Sequence, residues 1–473
     1  MSHRSHRLFV VLSLALLSLA GANGQTTRGG FVATRPIDLG GTPWGVATGD
    51  LNHDGIPDVV IAAGTSVDLN YVHTILGVDV LLGRGDGTFS PAVHYMTTGS
   101  ASFVGIADVN GDGLPDVITA NGDPSLLDDD GAINVLLGKG DGTLQAAVKY
   151  TITGQQATSF YIGDFNGDGH PDLAVSTNSA AVYGYTILLN NGSGVFHVGQ
   201  QGTGYYPVGV ADIDKDGRLD MVMAEFVGNA TGPPSALMKV LFGAGNGTFT
   251  RSGPVYTIDN LGFGPFVAIA DFNEDGFPDV VVNGISQLIV LLGHGDGSFT
   301  QSSSMAKVDG PTGWVVAGDF NHDGHMDVAI MASPGQEILT GNGNGTFGYR
   351  TIYGNEGDTT EYPEGMAMAD LNNDGYQDLV AVNPGGSTSV MMGKPGATFN
   401  AELIDNLGPF SNNQTLAGDF NGDGIPDVAV LNNGGGCPLC FGSVSLMLGQ
   451  ANGQPPSPAT AASKIATPIS RPA

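Results

Sequence analysis

Oxygen-bearing side chains recur in this sequence at a fixed spacing, in the nine-residue pattern D-x-N-x-D-G-x-x-D. Neighbouring copies of the pattern begin 48 to 59 residues apart. A period near fifty residues predicts a repeat architecture. We number the copies loops 1 to 8 and their residues positions 1 to 9. The loops begin at Asp50, Asp108, Asp164, Asp212, Asp271, Asp319, Asp370 and Asp419.

The spacing of these oxygens is typical of a calcium-binding loop. Ca²⁺ takes about six to eight oxygen ligands, and alternate residues of a tight loop can point their side chains at one ion. Glycine at position 6 accepts a positive φ, so the loop can turn and offer the carbonyl of position 7. Without a cation, two carboxylates about 4 Å apart repel by roughly 4 kcal/mol at an effective dielectric constant near 20. The sequence therefore predicts up to eight bound calcium ions.

The predicted ligands are the side chains at positions 1, 3, 5 and 9, where position 3 is Asn except for an Asp in loop 4. They are Asp50, Asn52, Asp54, Asp58, Asp108, Asn110, Asp112, Asp116, Asp164, Asn166, Asp168, Asp172, Asp212, Asp214, Asp216, Asp220, Asp271, Asn273, Asp275, Asp279, Asp319, Asn321, Asp323, Asp327, Asp370, Asn372, Asp374, Asp378, Asp419, Asn421, Asp423 and Asp427.

Two other interpretations compete with the calcium loop. Asn, Asp and Gly favour surface turns for conformational reasons of their own, although eight copies with the same oxygens in place argue against a turn alone. An EF-hand requires a Glu at position 12 and flanking helices. Position 12 of loop 1 is Ile61, and the residues after each loop are typical of a β-strand. We therefore do not expect EF-hands.

Composition limits the possible partners. The chain has 16 Lys and Arg against 46 Asp and Glu, a formal net charge of −30. Such a charge argues against nucleic acid or an anionic membrane as partner. With 75 glycines, 26 prolines and only 13% charged residues, the composition favours short strands and tight turns over helices.

The two ends of the chain differ from the repeats. Residues 1–22 carry basic residues, then an apolar run from Leu8 to Leu19, then an A-x-A-like site at residues 20–22, which is typical of a secretory signal peptide. The alternative is a membrane anchor, but the run is short for a hydrocarbon core about 30 Å thick. Residues 451–473 are rich in Pro, Ala and Ser and predict a flexible tail. We expect an exported protein without a transmembrane segment, extracellular or, in a bacterium, periplasmic or on the cell surface.

Each repeat is expected to form four strands. In the second repeat, short β-branched runs flank the loop, and a further run ends in the glycine-rich turn Gly138 to Leu144 before a fourth. Some runs are apolar at consecutive positions, such as Ile289 to Leu292. This pattern indicates strands that are buried on both faces, as in sheets stacked radially.

An apolar strand, a D-x-N-x-D-G-x-x-D loop, a second apolar strand and a G-x-G-D-G-T-F turn together resemble the FG-GAP/VCBS repeats of integrin α-subunit propellers and secreted bacterial proteins. The resemblance covers residues 29–450. It implies a β-propeller with Ca²⁺ in the hairpin between the first and second strands of each blade. Integrin propellers have seven blades, of which only some carry calcium loops, whereas all eight repeats carry one here.

The ends of the repeat region indicate how the ring closes. Phe31 precedes Asp50 by 19 residues, as Phe89 precedes Asp108, so residues 31–39 look like a fourth strand without a blade of its own. The last repeat lacks a fourth strand after Leu448. Pairing the two would remove both free edges. The expected fold is therefore all-β, an eight-bladed propeller of four-stranded antiparallel blades whose N-terminal strand closes the last blade, with seven blades as the alternative.

Two short motifs have structural explanations. Arg84-Gly85-Asp86 spells an adhesion tripeptide but falls inside a glycine-rich turn that recurs in other repeats. Cys437 and Cys440 have the spacing of a redox C-x-x-C motif, which would require a βαβ setting. A local disulfide is the preferred interpretation in an exported chain.

Catalytic signatures are weak, and a binding face is better supported. The sequence contains neither H-E-x-x-H nor G-x-S-x-G. Aromatic residues at the entry to first strands predict a ligand-binding face opposite the calcium loops, although they could instead pack inside the channel or between blades. The candidates are Trp44, Tyr205, Tyr206 and Trp314.

These observations favour a monomeric, secreted, calcium-binding propeller that acts as a non-catalytic binding or adhesion module for protein or glycan. The alternative function is an extracellular polysaccharide-active enzyme, a lyase or a hydrolase, on the same scaffold.

Overall fold

The structure is a computed structural model in which the described residues form β-strands joined by turns and loops. It describes residues 27–28, 31–33, 37–39, 43–67, 72–122, 131–152, 155–179, 182–227, 235–261, 266–285, 287–302, 306–308, 312–332, 336–353, 365–370, 375–382, 388–394, 398–404, 412–432 and 443–449. The predicted signal peptide, the predicted tail and the Cys437–Cys440 pair lie outside these ranges. Within them, no helix is long and apolar enough to cross a membrane.

Three short strands precede the first repeat, and the first four repeats each form one antiparallel sheet, here called blades 1 to 4. The strands are β1 (Thr27–Arg28), β2 (Phe31–Ala33) and β3 (Ile37–Asp38); β4 (Pro43–Gly49), β5 (Asp58–Val67), β6 (Val72–Leu81) and β7 (Val93–Met96) in blade 1; β8 (Ala101–Ala107), β9 (Asp116–Asn121), β10 (Ala132–Leu136) and β11 (Val148–Thr151) in blade 2; β12 (Gln156–Gly163), β13 (Asp172–Ser179), β14 (Val182–Asn190) and β15 (Phe196–Thr203) in blade 3; and β16 (Tyr206–Ala211), β17 (Asp220–Val227), β18 (Ser235–Gly243), β19 (Phe249–Ser252) and β20 (Tyr256–Ile258) in blade 4.

Blades 5 to 7 follow the same order, and the last three strands begin an eighth sheet, blade 8. These strands are β21 (Val267–Ala270), β22 (Asp279–Gly284), β23 (Gln287–Gly293), β24 (Phe299–Gln301) and β25 (Ala306–Lys307) in blade 5; β26 (Thr312–Gly318), β27 (Asp327–Ala332), β28 (Gln336–Gly341) and β29 (Phe347–Tyr353) in blade 6; β30 (Gly365–Ala369), β31 (Asp378–Val382), β32 (Thr388–Lys394) and β33 (Thr398–Ile404) in blade 7; and β34 (Asn412–Gly418), β35 (Asp427–Asn432) and β36 (Ser443–Gly449) in blade 8.

Blade 8 joins the two ends of the chain. Strand β2 pairs with β36 through Val32 opposite Leu448, and β3 pairs with the same strand through Ile37 opposite Val444. The predicted pairing of residues 31–39 with the last strand is thus confirmed. Seven sheets are each built from one continuous stretch of chain, and this eighth sheet combines N-terminal and C-terminal strands. The outer edge of β36 is therefore covered, as expected for a closed propeller.

The first strand of each blade lies innermost. First strands of neighbouring blades contact each other around much of the ring, as β4 contacts β8 and β30 contacts β34, and β34 contacts β4 where the two ends of the chain meet. They surround a central cavity of about 820 Å³ that is lined mainly by aliphatic side chains. Every blade contributes to the lining, for example through Ala47, Gly105, Ile162, Val210, Ala268, Ala317, Met368 and Ala417. The predicted fold, an all-β propeller of four-stranded antiparallel blades, is confirmed.

Burial on both faces explains the consecutive apolar residues of the second and third strands. Every residue of β9 and β22 is buried, because each of these strands has a neighbouring blade on either side. The hydrophobic clusters accordingly combine adjacent blades: one of them joins Phe272 of blade 5 to Phe320 of blade 6. The core lies between the blades and fixes the position of the loops that connect their inner strands.

Candidate metal centre

All eight acidic loops occupy the same place in their blades. Each loop starts directly after a first strand and ends where the second strand begins, as from Gly49 at the end of β4 to Asp58 at the start of β5. Because the first strands are equivalent around the ring, the loops all lie on one face of the propeller. This is the hairpin in which the family resemblance places calcium.

Two positions of the loop take a left-handed conformation wherever the structure describes them. Position 6 is always Gly with a positive φ, for example 91° at Gly276, which permits the expected turn. Position 4 is also left-handed, with φ of 58° at Glu274 and 72° at Gly111. The sequence analysis missed position 4, although the glycine at this position in loops 2, 3 and 8 was a usable signal.

Hydrogen bonds inside loops 1, 2, 3, 5, 6 and 8 hold the oxygens at positions 1, 3 and 5 in place. In loop 1, Gly55 N donates to Asp50 Oδ2 at 2.9 Å, and Ile56 N donates to Asp54 Oδ1 at 2.8 Å. Asn52 Nδ2 donates to Asp54 Oδ2 at 2.9 Å, which explains an amide rather than a carboxylate at position 3. The bond from position 6 to position 1 occurs in all eight loops. The loop is therefore an organised turn that already gathers three predicted ligands.

Position 9 differs from the other predicted ligands because it is fully buried. Asp279 is 0% exposed, and its two oxygens accept backbone N–H groups from both sides. Phe272 N donates to Oδ2 at 2.8 Å, and Gly293 N, at the start of the glycine-rich turn, donates to Oδ1 at 2.7 Å. The equivalent pair of bonds occurs in blades 1, 2, 3, 4, 6 and 8. This aspartate is thus a clamp between the loop and the turn, a role that the spacing did not reveal.

Burial also changes the acidity of position 9. It raises the pKa of Asp58, Asp172, Asp220, Asp279 and Asp327 to about 6, and that of Asp427 to about 8. The two backbone donors oppose this shift, whereas nearby acidic loop residues, usually positions 5 and 1, add to it. Ionisation of the aspartate at position 9 therefore lowers the stability of the folded protein, and a nearby cation would offset this loss.

Loop 4 has a carboxylate instead of an amide at position 3. Its Asp212, Asp214 and Asp216 each place a carboxylate oxygen within 4.8 Å of the others. Arg251 of β19 contacts Asp214 Oδ2, while Asp214 Oδ1 is buried and accepts no hydrogen bond. Asp271 Oδ1, at position 1 of loop 5, is buried in the same way. Unsatisfied carboxylate oxygens in these loops match the hard-oxygen donor set that Ca²⁺ prefers.

The four aromatic candidates for the opposite face do not share one environment. Trp44 is 46% exposed, whereas Trp314 and Tyr206 are 7% and 5% exposed. Trp314 packs on Phe266 of the preceding blade with ring centroids 5.2 Å apart. Tyr206 likewise packs on a tyrosine of blade 3, at 5.0 Å. These two residues thus pack between blades, the alternative that the sequence had left open, and their contact with a ligand stays a prediction.

Tyr205 is partly buried beneath a charged side chain. Lys239 Nζ lies 3.8 Å from the centre of its ring. Burial raises the pKa of the Tyr205 hydroxyl, and the charge of Glu225 together with a hydrogen bond to it raises it further. The three side chains therefore interact with one another near the start of blade 4.

The Arg84-Gly85-Asp86 tripeptide belongs to a turn. Asp86 Oδ1 accepts hydrogen bonds from the backbone N and from Oγ1 of Thr88, at 2.9 and 2.6 Å. Asp141 makes the same bonds to Thr143 in blade 2. The shared geometry supports the structural explanation of the motif.

Comparisons with known proteins agree with this architecture. Residues 108–175, 271–330 and 370–430 match the FG-GAP-like repeat, and each of these segments contains two consecutive acidic loops. Residues 42–75, around loop 1, match the FG-GAP repeat. A stretch of 154 residues is 32% identical to phosphatidylinositol-glycan-specific phospholipase D of Bos taurus, covering 28% of this chain. The chain matches only 18% of the length of that enzyme.

Solved structures resemble the chain in fold. The Dos1 propeller superposes with a TM-score of 0.55 at 10% identity, covering 91% of this chain and 97% of that one. A lectin of Agrocybe aegerita that recognises non-reducing terminal N-acetylglucosamine matches at 19% identity and a TM-score of 0.44, covering 76% of this chain and 93% of the lectin. With FG-GAP matches in four segments and an acidic loop in the first hairpin of every blade, the chain belongs to the FG-GAP-repeat β-propeller proteins.

Proposed function

We propose that this protein is a secreted, calcium-binding propeller that acts as a non-catalytic binding or adhesion module for protein or glycan. Calcium binding is supported by two buried carboxylate oxygens that accept no hydrogen bond, Asp214 Oδ1 and Asp271 Oδ1. A buried acceptor that lacks a partner is costly unless something else satisfies it. Asp214 belongs to the group of three converging carboxylates in loop 4, and Asp271 occupies position 1 of the next loop, so a bound cation would explain both atoms.

In each loop, the side chains at positions 1, 3 and 5 and the carbonyl of position 7 would hold the ion. Position 9 would contribute through lone pairs that its two backbone hydrogen bonds leave free. Calcium supplies positive charge between carboxylates that otherwise repel each other. We therefore assign the ions to the stability of the scaffold rather than to chemistry.

The binding part rests on Trp44. It lies near the start of β4, at the end of the strand away from loop 1, and it is nearly half exposed on a rigid inner strand. Seven residues of strand span about 23 Å, so the indole lies on the opposite face from the loops. Tryptophan offers a flat apolar ring and an N–H donor, which suit a sugar face or a protein hot spot.

An enzyme is the second candidate, because the chain resembles part of phosphatidylinositol-glycan-specific phospholipase D. Near the start of blade 4, Tyr205, Glu225 and Lys239 form a cluster of acid and base groups of the kind that catalysis would use. The raised pKa keeps the Tyr205 hydroxyl protonated, and Lys239 lies against its ring. This arrangement favours the binding module over a tyrosine base.

A glycan array and a protein-capture screen with the purified mature chain, each in calcium and in EDTA, test the proposal. We expect binding in calcium that Trp44→Ala abolishes, and a melting temperature that falls in EDTA. A melting temperature that is the same in calcium and in EDTA would refute calcium binding. Turnover of any bound polysaccharide would favour the enzyme.

A further inference from the structure

Side chains connect consecutive acidic loops along one arc of the ring. Each contact joins position 4 of one loop to position 7 of the next loop along the chain. In loops 5 and 6, Glu274 Oε1 contacts His325 Nδ1. The other two contacts are Lys215 above the Phe277 ring at 6.0 Å and His322 against the Tyr376 ring at 4.6 Å.

These contacts link the segments that would bind the ions. Position 4 stands between positions 3 and 5, whose side chains are predicted ligands, and position 7 offers its backbone carbonyl. A cation that orders positions 3 and 5 of one loop therefore also orders the side chain that holds position 7 of the next loop. The chain of contacts runs without a break from loop 4 to loop 7.

A backbone link accompanies the side chains. In loops 5 and 6, Gly345 N of the blade 6 turn donates to the carbonyl of Phe272, position 2 of loop 5, at 2.9 Å. The same turn begins with Gly341, whose N donates to Asp327, position 9 of loop 6, at 2.8 Å. The turn is thus bonded to both loops. Corresponding turn-to-loop bonds connect blades 1 and 2, 2 and 3, and 3 and 4.

At position 4, the side chains of loops 4, 5 and 6 stand on a left-handed backbone, which is unfavourable for residues other than glycine. Lys215, Glu274 and His322 have φ of 56°, 58° and 58°, a region that glycine adopts more readily. Loops 2, 3 and 8 have glycine at this position. Side chains stand at position 4 in the three loops from which these contacts are made, and also in loop 1, where His53 has a φ of 57°.

We propose that loops 4 to 7 bind calcium as a coupled arc, in which occupation of one loop raises the calcium affinity of the next through the contact between positions 4 and 7. This inference rests on the proposed calcium function and adds positive cooperativity between particular neighbours. Lys215, Glu274 and His322 are its positioning residues. The arc allows several weak sites to fill together.

Tyr376 makes the coupling measurable. It is the one tyrosine at position 7 among the eight loops, so its excitation sensitises Tb³⁺ bound in loop 7. Asp323→Ala disables loop 6, and we expect it to weaken Tb³⁺ binding at loop 7 by about fivefold or more, the lower end of typical coupling between sites. In a His322→Gly background, the same Asp323→Ala change should leave loop 7 unaffected. Glycine suits the left-handed backbone there, so His322→Gly removes the contact without strain.

Two controls separate coupling from general damage. Asp112→Ala disables loop 2, outside the arc, and should not change Tb³⁺ binding at loop 7. His53→Gly makes the same left-handed substitution in loop 1, where φ is 57°, and should also leave loop 7 unchanged. Melting of every variant in EDTA verifies folding, and Asp323→Asn replaces Asp323→Ala if the latter fails to fold.

Calorimetric titration provides an independent measurement. The triple variant Lys215→Gly, Glu274→Gly and His322→Gly should bind as many calcium ions as the unmodified protein but with a shallower isotherm. If Asp323→Ala has the same effect on loop 7 with and without His322, the coupling is refuted while calcium binding stands. If the unmodified protein shows no sensitised Tb³⁺ emission and no calcium heat, both the coupling and the proposed calcium function are refuted.

Discussion

Phe420, at position 2 of loop 8, packs edge to face against Phe89 at the end of the glycine-rich turn of blade 1, with ring centroids 5.7 Å apart. The same relationship occurs inside the ring, between Phe272 of loop 5 and Phe347 of blade 6, at 5.8 Å. A Cβ added at Gly87 would overlap Leu448 of the last blade. The junction between the last and first blades therefore has the packing of an internal junction, although its two sides come from opposite ends of the chain.

Removing the ring of Phe420 should destabilise the protein as much as removing its internal counterpart. Phe420 is 0% exposed and Phe272 is 2% exposed. Replacing either by Ala should cost about 3–5 kcal/mol of unfolding free energy, the usual range for a buried Phe. Denaturant unfolding in calcium measures both, with Phe272→Ala as the matched control. A much smaller loss for Phe420→Ala would mean that blades 8 and 1 do not close the ring.

The period of the acidic pattern and the strand runs around it were sufficient to predict the propeller. The matched distance from Phe31 to Asp50 also predicted how the ring closes, because a missing strand at one end and an extra strand at the other are visible in sequence. These features are local or periodic. They do not depend on the direction in which any individual side chain points.

The different environments of Trp44 and Tyr206 could not be predicted, because they depend on where each first strand has its β-bulge. In blade 1 the bulge falls at Trp44, since Pro43 pairs with Ala63 and Gly45 with Ala62. In blade 4 the bulge comes after Pro207, so Tyr206, at the same distance from its loop, stays in register and is buried. A bulge of one residue reverses the face to which a side chain points, and the sequence does not show its position.

The clamp at position 9 and the ligand at position 5 should respond differently to calcium. Asp275→Ala, at position 5 of loop 5, should lower the melting temperature in calcium and have little effect in EDTA, because Asp275 is exposed. Asp279→Asn should lower it in both conditions. The amide replaces one acceptor of a buried N–H by a donor, which costs about 1–3 kcal/mol. Equal calcium dependence of the two variants would contradict the assignment of position 9 as a clamp.

The contact between His94 and Asp79 in blade 1 predicts a pH dependence of stability. His94 Nδ1 lies 2.9 Å from Asp79 Oδ1, and this hydrogen bond to a carboxylate raises the pKa of His94. Because the folded pKa exceeds the unfolded value, the contribution to stability is complete below about pH 6.5 and disappears as the pH rises through the folded pKa.

Melting curves of the unmodified protein and His94→Gln between about pH 5.5 and 9, at constant calcium, measure this contribution. The difference between the two proteins should be greatest at the acidic end and decrease as the pH rises. Comparing them at each pH cancels the titration of the loop carboxylates, which both proteins share. A difference that is constant with pH would show that His94 does not gain a proton from its contact with Asp79.

Trp44 and Trp314 offer a matched test of the binding face, since both are tryptophans near the start of a first strand. Trp314→Ala should cost about 3–5 kcal/mol of unfolding free energy, because the indole is buried against Phe266 of the preceding blade. Trp44→Ala should change stability by less than about 0.5 kcal/mol, as exposed side chains usually do. The Trp44→Ala variant should nevertheless lose binding to any glycan or protein that the unmodified chain binds. Binding that survives Trp44→Ala would place the recognition surface elsewhere, whereas a large loss of stability in that variant would show that the indole is part of the core.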